Sequence, residues 1–518
     1  MDREDRDVNG SLAAKEAKHR KDDSRGKPSP PRPTPARQRQ KTPQKQAPEE
    51  GSKGVEESAS PELTSWIKLN AKDLKIRLTD RRWAAEVVND FQDNLLKFLR
   101  GNSDQPFFQS ADFLNSGSYF EKVKIRSPDE FDMMLKLQAP SRLIMTELDG
   151  GLFYRINLAR PSRKPIKAFT LENGYTLSSR QILSEMHRLV RKFLKTYQVP
   201  DEGFRWEVNR KQLHSPAVTL SLCRNEMCSA ELISVDVVPA LEVPSSQGWP
   251  LALRNGPDVD NWLGKKVRQE IKSSACFFVP KRLKGRNLSE EAKESWRISF
   301  SHVEKKLIRN HGNKKTCCES NATKCCRKQC FMLLKSLIEG LKQRFPKELD
   351  HLCSYHGKTA FLHTLSIRFD DSMWACLQLP ACFLHLLGDL ESHARTGLLP
   401  HFFVPNCNLF SPALFPRREL AFLVSALEEQ RREGLPLLRH PAPVPPLRLR
   451  SPSGDTSPEI STDKPSSVTT VHSLDTTFKN KLVLLIAGAV VCVLLSVSLG
   501  CGSIWNLVLP NNSRYYHY

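Results

Sequence analysis

Apolar residues recur at two different periods along this chain, and the change of period divides it. From about Trp66 a helical spacing sets in, with Trp83, Val87, Val88, Phe91, Leu95 and Phe98 on one stripe, which predicts a long helix packed across a domain. Between Asp112 and Ala240 the period drops to two in short runs. These are Phe131, Met133, Leu135 and Leu137, then Ile233, Val235 and Val237, separated by helical stretches such as Gln181 to Thr196. Such alternation marks strands with one buried face, so a mixed sheet with flanking helices is predicted. Beyond Trp262 the helical period returns, as in Phe331, Leu334, Leu337, Ile338 and Leu341, and runs to about Arg431. The expected class is α+β, with a sheet lobe over 63–262 and a helical lobe over 263–433.

Both ends lack that patterning. Ser11 to Lys45 carries 11 basic and 3 acidic side chains, many prolines and no aromatic residue. Residues 1–62 are therefore expected to be a disordered basic tail, unable to bury enough apolar surface to offset chain entropy. Residues 434–478, rich in Pro, Ser and Thr, read as a flexible linker. The next run differs in kind: Leu482 to Ser513 contains no charged side chain. About 20 apolar residues at 1.5 Å each cross roughly 30 Å of hydrocarbon, so 482–509 is expected to be a transmembrane anchor, with a buried core helix as the alternative. Lys479 and Lys481 precede the run and only Arg514 follows it, which keeps the globular part on the cytosolic side.

Charge narrows the partners. Across 518 residues, 78 Lys and Arg face 57 Asp and Glu, a formal +21, so a polyanion is the first partner to expect, either nucleic acid or an anionic membrane surface. The 14 cysteines include crowded vicinal pairs, and the N-terminus is polar where an apolar leader would sit. A reducing compartment follows, with cysteines serving as core residues or metal ligands.

The strongest chemical signal is Gly117-Ser118 followed by Glu130-Phe131-Asp132. On a strand, Glu130 and Asp132 share one face while Phe131 and Met133 enter the core. Paired carboxylates on one face suit a pair of magnesium ions, one activating an attacking hydroxyl and one stabilising leaving pyrophosphate. Asp236, within Ile233-Ser234-Val235-Asp236-Val237, is the candidate third acid. Gly117-Ser118 would form a turn whose backbone N–H groups and hydroxyl admit a triphosphate. A second cluster joins His311 to Cys317, Cys318, Cys325, Cys326 and Cys330. Imidazole and thiolates make a zinc ligand set, although spacing leaves open which four close the tetrahedron. Lys314, Lys315, Lys324, Arg327 and Lys328 make that loop basic, and Lys328, Lys335 and Lys342 share a helix face, as a solvated stripe or as anion contacts.

Gly117-Ser118-Tyr119-Phe120-Glu121, Glu130-Phe131-Asp132 and Ser234-Val235-Asp236 resemble the corresponding stretches of the vertebrate cyclic GMP-AMP synthase family, within the nucleotidyltransferase superfamily. The resemblance covers roughly Lys72 to Arg431. The family's zinc insertion places a His, five residues, a Cys-Cys pair, six residues and a third Cys, which implies His311, Cys317, Cys318 and Cys325 as ligands. It further implies that Lys281, Arg297, Glu304, Lys335, Ser354, Tyr355 and Lys358 surround bound nucleotides, with Ser116 and Ser118 on the turn side, Tyr355 stacked on a base and Lys328 at DNA. Glu130, Asp132 and Asp236 would hold Mg²⁺, or Mn²⁺ in its place. The implied activity is synthesis of 2′,3′-linked cyclic GMP-AMP from ATP and GTP, a second messenger of innate immunity. Double-stranded DNA would be the activator and would bridge a homodimer, in cytosol and nucleus. The N-terminal tail shares only composition with that family, the linker has no counterpart in it, and the apolar run is foreign to it. Two rivals remain: a related transferase making linear oligoadenylate on double-stranded RNA, a family without this zinc loop, and a membrane-anchored scaffold with a silent transferase fold, against which the complete acid set argues.

Overall fold

The alternating runs become one mixed sheet in the computed structural model, which describes residues 60–139, 142–162, 164–212, 214–225, 231–253, 259–283 and 289–439. The chain divides into two units, Met1–Val444 and Pro445–Tyr518, and the described residues belong to the first. The expected tail up to residue 59, nearly all of the expected linker and the expected anchor at 482–509 lie outside them, whereas the last two residues of the expected tail, Pro61 and Glu62, open a helix. Among the described residues no helix is long and apolar enough to cross a membrane.

Nine described strands build the sheet: β1 (Asp112–Ser116), β2 (Glu130–Gln138), β3 (Leu143–Asp149), β4 (Phe153–Leu158), β5 (Phe204–Val208), β6 (Val218–Arg224), β7 (Glu231–Val243), β8 (Cys276–Val279) and β9 (Trp296–Ser299). Their order is β1-β2-β7-β8-β9-β4-β3, with β6 also on β7 and β5 beyond β6. The pairing of β2 with β7 is parallel, whereas the other pairings within this sheet are antiparallel. The long β7 shares its second edge, giving its first half to β6 and its last three residues to β8.

Helix Leu78–Gly101 lays its apolar stripe across this lobe, as the periodicity predicts. Trp83 meets Phe204 at 5.5 Å between ring centroids, and Phe91 meets Trp206 at 4.8 Å and Phe193 at 5.9 Å. Val87 and Phe98 are half-buried at the stripe's edge. Phe193 comes from helix Ser179–Leu194, which begins where the Ser178 hydroxyl accepts from Gln181 N (3.0 Å) and donates to the buried Glu294 (2.6 Å).

The second lobe is organised around helix Arg327–Arg344. Phe331, Leu333, Leu334, Leu337, Ile338 and Leu341 are all buried, so the helix is enclosed on nearly every side. It packs against helices Ser354–Ile367 and Leu379–Thr396, and Phe331 stacks on Phe361 at 4.8 Å with planes 4° apart. Helix Pro61–Asp73 precedes the sheet lobe in sequence yet packs on Leu379–Thr396 and Arg327–Arg344. The helical lobe therefore gathers segments from both ends of the described chain. Phe331→Ala should lower unfolding free energy by about 3–5 kcal/mol, read as a shifted denaturant midpoint, because it empties the centre of this lobe.

Candidate active site and basic groove

Register brings the acids together. Across the parallel pair, Asp132 of β2 lies opposite Asp236 of β7, and Glu130 lies opposite Ser234 two residues earlier on the same face. In β1, Ser116 stands opposite Asp132, and in β6, Thr219 stands opposite Asp236 and donates its hydroxyl to Asp236 Oδ1 at 2.6 Å. The chain leaves β1 through Gly117 at φ +77°, a left-handed conformation that suits glycine. A Cβ there would stand 1.8 Å from Asp132 Oδ2, so only a bare α-carbon lets the turn lie over the carboxylate. Ser118 occupies the short helix Gly117–Phe120 that follows.

Crowding has an electrostatic cost. Burial, with Glu130 and Asp236 alongside, pushes the Asp132 carboxyl up to about 7. Burial also raises Asp236, against the Thr219 hydrogen bond. Burial would raise Glu130 too, but the Lys124 ammonium at 2.8 Å outweighs it and holds the group below its usual range. Three converging carboxylates that repel one another fit divalent cations, whose charge removes the repulsion.

A second group lies where the lobes meet. Glu304 on helix Ser301–Arg309 accepts from Tyr355 OH at 3.1 Å and from Lys358 Nζ at 3.0 Å, both residues belonging to helix Ser354–Ile367. Lys358 also reaches Glu121 Oε1 at 2.8 Å. Ser354 is exposed at the start of the same helix, and the Arg297 charge from β9 acts on Tyr355. Lys335 is buried and donates to Val123 O at 3.4 Å, with burial depressing its ammonium. Lys281 stands two residues beyond β8. Sequence reasoning missed Lys124, Thr219 and His401 outright and assigned Glu121 no role, because only the tertiary fold brings these residues to the acids and to Tyr355.

His311, Cys317, Cys318 and Cys325 place their ligand atoms within 4.8 Å of one another. Cys317 and Cys318 sulfurs are 4.0 Å apart, and Cys318 and Cys325 sulfurs 3.7 Å. A tetrahedron with 2.3 Å zinc–sulfur bonds has edges of about 3.8 Å, so the set fits the ion. His311 Nδ1 lies 2.8 Å from Ile308 O and donates to it, which turns Nε2 toward the sulfurs. Gly312 allows the fold-back, since a Cβ there would stand 2.3 Å from Cys317 Cβ.

One expected feature of this loop is corrected. Arg327 is not among its presented cations: it is fully buried and pairs with Asp371 Oδ1 at 2.7 Å, because Asp371 already anchors the loop through the N–H groups of Asn313 and Lys314. Of the expected cations, Lys324 and Lys328 line a groove of about 660 Å³ between the loop and the start of helix Leu78–Gly101, whereas Lys314 and Lys315 do not. Lys75, Arg81, Lys122, Lys124, Lys324 and Lys328 face a single acid there, Glu319. Burial and then neighbouring cations, Arg309 and Arg81 for Lys122 and Lys122 for Lys328, depress these two ammoniums, a repulsion that a bound polyanion would relieve.

Comparison with known proteins bears on the fold that carries this site. Residues 119–310 match the Mab-21 protein nucleotidyltransferase domain, and 326–429 the Mab-21 protein HhH/H2TH-like domain. The chain is 39% identical to cyclic GMP-AMP synthase of Mus musculus over 365 residues, covering 70% of this chain and 68% of the relative. It is 38% identical to the Sus scrofa enzyme of the same name, covering 68% of each, and 27% identical to a cyclic GMP-AMP synthase-like receptor of Magallana gigas, covering 71% and 58%.

Gly117→Ala should cut nucleotidyl transfer by about 100-fold through displacement of the turn and Asp132, while the protein still folds, as steady-state rates and a melting curve will show. Replacing Cys317 and Cys318 with Ala should remove about one equivalent of zinc by elemental analysis and loosen the loop against proteolysis.

Proposed function

Because the chain belongs to the Mab-21 nucleotidyltransferase family, we propose that it joins ATP and GTP into cyclic GMP-AMP when double-stranded DNA lies in its basic groove. It is a nucleotidyltransferase. The observation that carries the finer reading is the convergence of Glu130, Asp132 and Asp236 beneath a glycine turn that tolerates no Cβ.

In this reading the Gly117-Ser118 turn cradles a triphosphate with its N–H groups and hydroxyl, and Tyr355 stacks on a base. The 2′-hydroxyl of GTP attacks the α-phosphorus of ATP, and pyrophosphate leaves. The linear product turns round in the same site, the adenosine 3′-hydroxyl attacks the guanosine α-phosphorus, and a second pyrophosphate leaves. Magnesium, or manganese, held by Glu130, Asp132 and Asp236 would lower the pKa of each attacking hydroxyl and neutralise the departing charge. Thr219 fixes the rotamer of Asp236, while Lys124 orients Glu130. DNA would be held by phosphate contacts to the groove cations, without base readout, and a dimer bridged near the zinc loop fits that use. The product would act as an innate-immune second messenger, and the enzyme would work in the cytosol.

Full-length protein incubated with ATP, GTP and Mg²⁺, with and without double-stranded DNA, tests this by product mass and by digestion with a nuclease specific for 3′–5′ bonds. The expected product is a cyclic dinucleotide with one resistant linkage, formed faster with DNA of any sequence. DNA affinity should fall log-linearly with salt by a slope of about 0.9 per phosphate neutralised, and Lys328→Glu should flatten it. Linear oligoadenylate, stimulation by RNA alone, or no product would each overturn the proposal.

A further inference from the structure

Glu121 is the most deeply buried acid near the site, with none of its surface exposed, and no sequence motif gives it a task. It closes the short helix that carries Ser118, since its N–H donates to Gly117 O at 3.0 Å. Any displacement of Glu121 therefore moves the phosphate turn. Its Oε1 accepts from Lys358 Nζ at 2.8 Å, while Oε2 has no hydrogen-bond partner in the protein. A carboxylate buried in this way is costly unless its charge is matched, so the Lys358 contact is an obligatory one.

Lys358 continues the connection to Glu304 Oε2 at 3.0 Å. From there the donors run in one direction. Phe403 N donates to His401 Nδ1 (3.3 Å), which leaves the proton on Nε2, and Nε2 donates to the Tyr355 hydroxyl oxygen at 2.9 Å. The Tyr355 hydroxyl is then free to donate to Glu304 Oε1 at 3.1 Å. Glu304 thus holds the Tyr355 ring through one oxygen and Lys358 through the other. A continuous polar path joins the turn after β1 to the aromatic residue of the helical lobe.

We propose that Glu121 is a positioning residue for nucleotidyl transfer, which acts through Lys358 and Glu304 to fix the distance between the phosphate turn at Ser118 and the Tyr355 ring. A nucleoside triphosphate must touch both at once, its phosphates at the turn and its base at the ring, so the path sets how well one molecule spans the two lobes. This inference rests on the reading of those two places as nucleotide contacts. It differs from a purely structural role, in which Glu121 bolts the lobes together with no effect on ligand affinity once the protein is folded.

The test measures ATP and GTP binding by calorimetry, and KM against kcat with DNA present, for full-length wild type, Glu121→Ala and Glu121→Gln. Melting temperature and zinc content serve as folding controls. Glu121→Ala should weaken binding and raise KM by about tenfold while kcat at saturating nucleotide stays within about twofold, the signature of lost ground-state positioning. Glu121→Gln keeps an acceptor for the ammonium and should recover most of the loss, to within about threefold of wild type. It also carries the comparison should the alanine variant fail to fold. Lys358→Met should weaken binding as well, and the Glu121→Ala, Lys358→Met double variant should be no worse than Lys358→Met alone, because both changes cut the same path. Unchanged affinity and KM in folded Glu121 variants, or additive effects in the double variant, overturn the role of Glu121 alone. Wild-type protein that binds neither nucleotide overturns this inference together with the reading beneath it.

Discussion

Placing three carboxylates on one face of a parallel strand pair is the constraint that the rest of the molecule satisfies. Asp132 and Asp236 stand opposite each other in β2 and β7, and burial, with the charges of Glu130 and then Asp236 added, pushes Asp132 far above its ordinary range. Strands alone would splay under such a load or leave the acids in solvent. Here the opposite face is buried, since Phe131, Met133, Val235 and Val237 are all at most 1% exposed, and register cannot slip without turning those side chains outward. The apolar face therefore holds the acids together, and neighbouring groups restrain each in turn: Thr219 on Asp236, Lys124 on Glu130 and the bare α-carbon of Gly117 over Asp132.

The same restraint ties the two lobes into one site. Lys335 reaches from the enclosed helix Arg327–Arg344 to the carbonyl of Val123, and Arg126 reaches back to Ser336 at 2.6 Å and Glu339 at 3.2 Å. The loop between Glu121 and Glu130 is thus gripped by the helical lobe along its length, although it supplies Lys122 and Lys124 to the groove and ends on a site carboxylate. Two non-glycine residues in it, Lys122 and Arg126, sit at positive φ (62° and 60°), a conformation kept only where surrounding contacts hold it. Groove and site share this segment, which supplies cations to one and a carboxylate to the other.

Much of this was legible because it depends on local period. The spanning helix, β2, β7 and the helix Arg327–Arg344 each carry a long enough apolar pattern to be read directly, and the α+β class follows from them. Glu130 and Asp132 share a face because strands alternate, and that much needs no structure. What could not be read is whatever depends on two distant segments meeting. Pro61–Asp73 precedes the sheet lobe in the chain yet packs in the helical lobe, and nothing local announces it. Glu121 reads only as the polar end of a motif, and Lys124 and His401 carry no local signal at all. Arg327 misled for the same reason: its place in a run of cations suggests a surface, whereas burial depends on Asp371, 44 residues away.

The loop that carries His311, Cys317, Cys318 and Cys325 shows what a bound metal ion would add to this architecture. Between Asn310 and Lys324 the chain has no large apolar residue, so it can form no core of its own. Protein contacts hold it at a few points: Trp262 Nε1 on His311 O at 2.9 Å, Asp371 on two loop N–H groups, and Arg327 buried beneath it on Asp371. Those contacts fix the base, but Cys318 at φ +65° and the exposed turn beyond it have little to pack against. Closing His311, Cys317, Cys318 and Cys325 on one cation would supply the missing interior, and the binding free energy would become folding free energy. Since Lys324 and Lys328 are presented by this loop and the helix start that Cys325 adjoins, a bound ion would set the position of those two groove cations. Loss of the ion would therefore weaken anion binding by moving the cations that remain, with no change in their number.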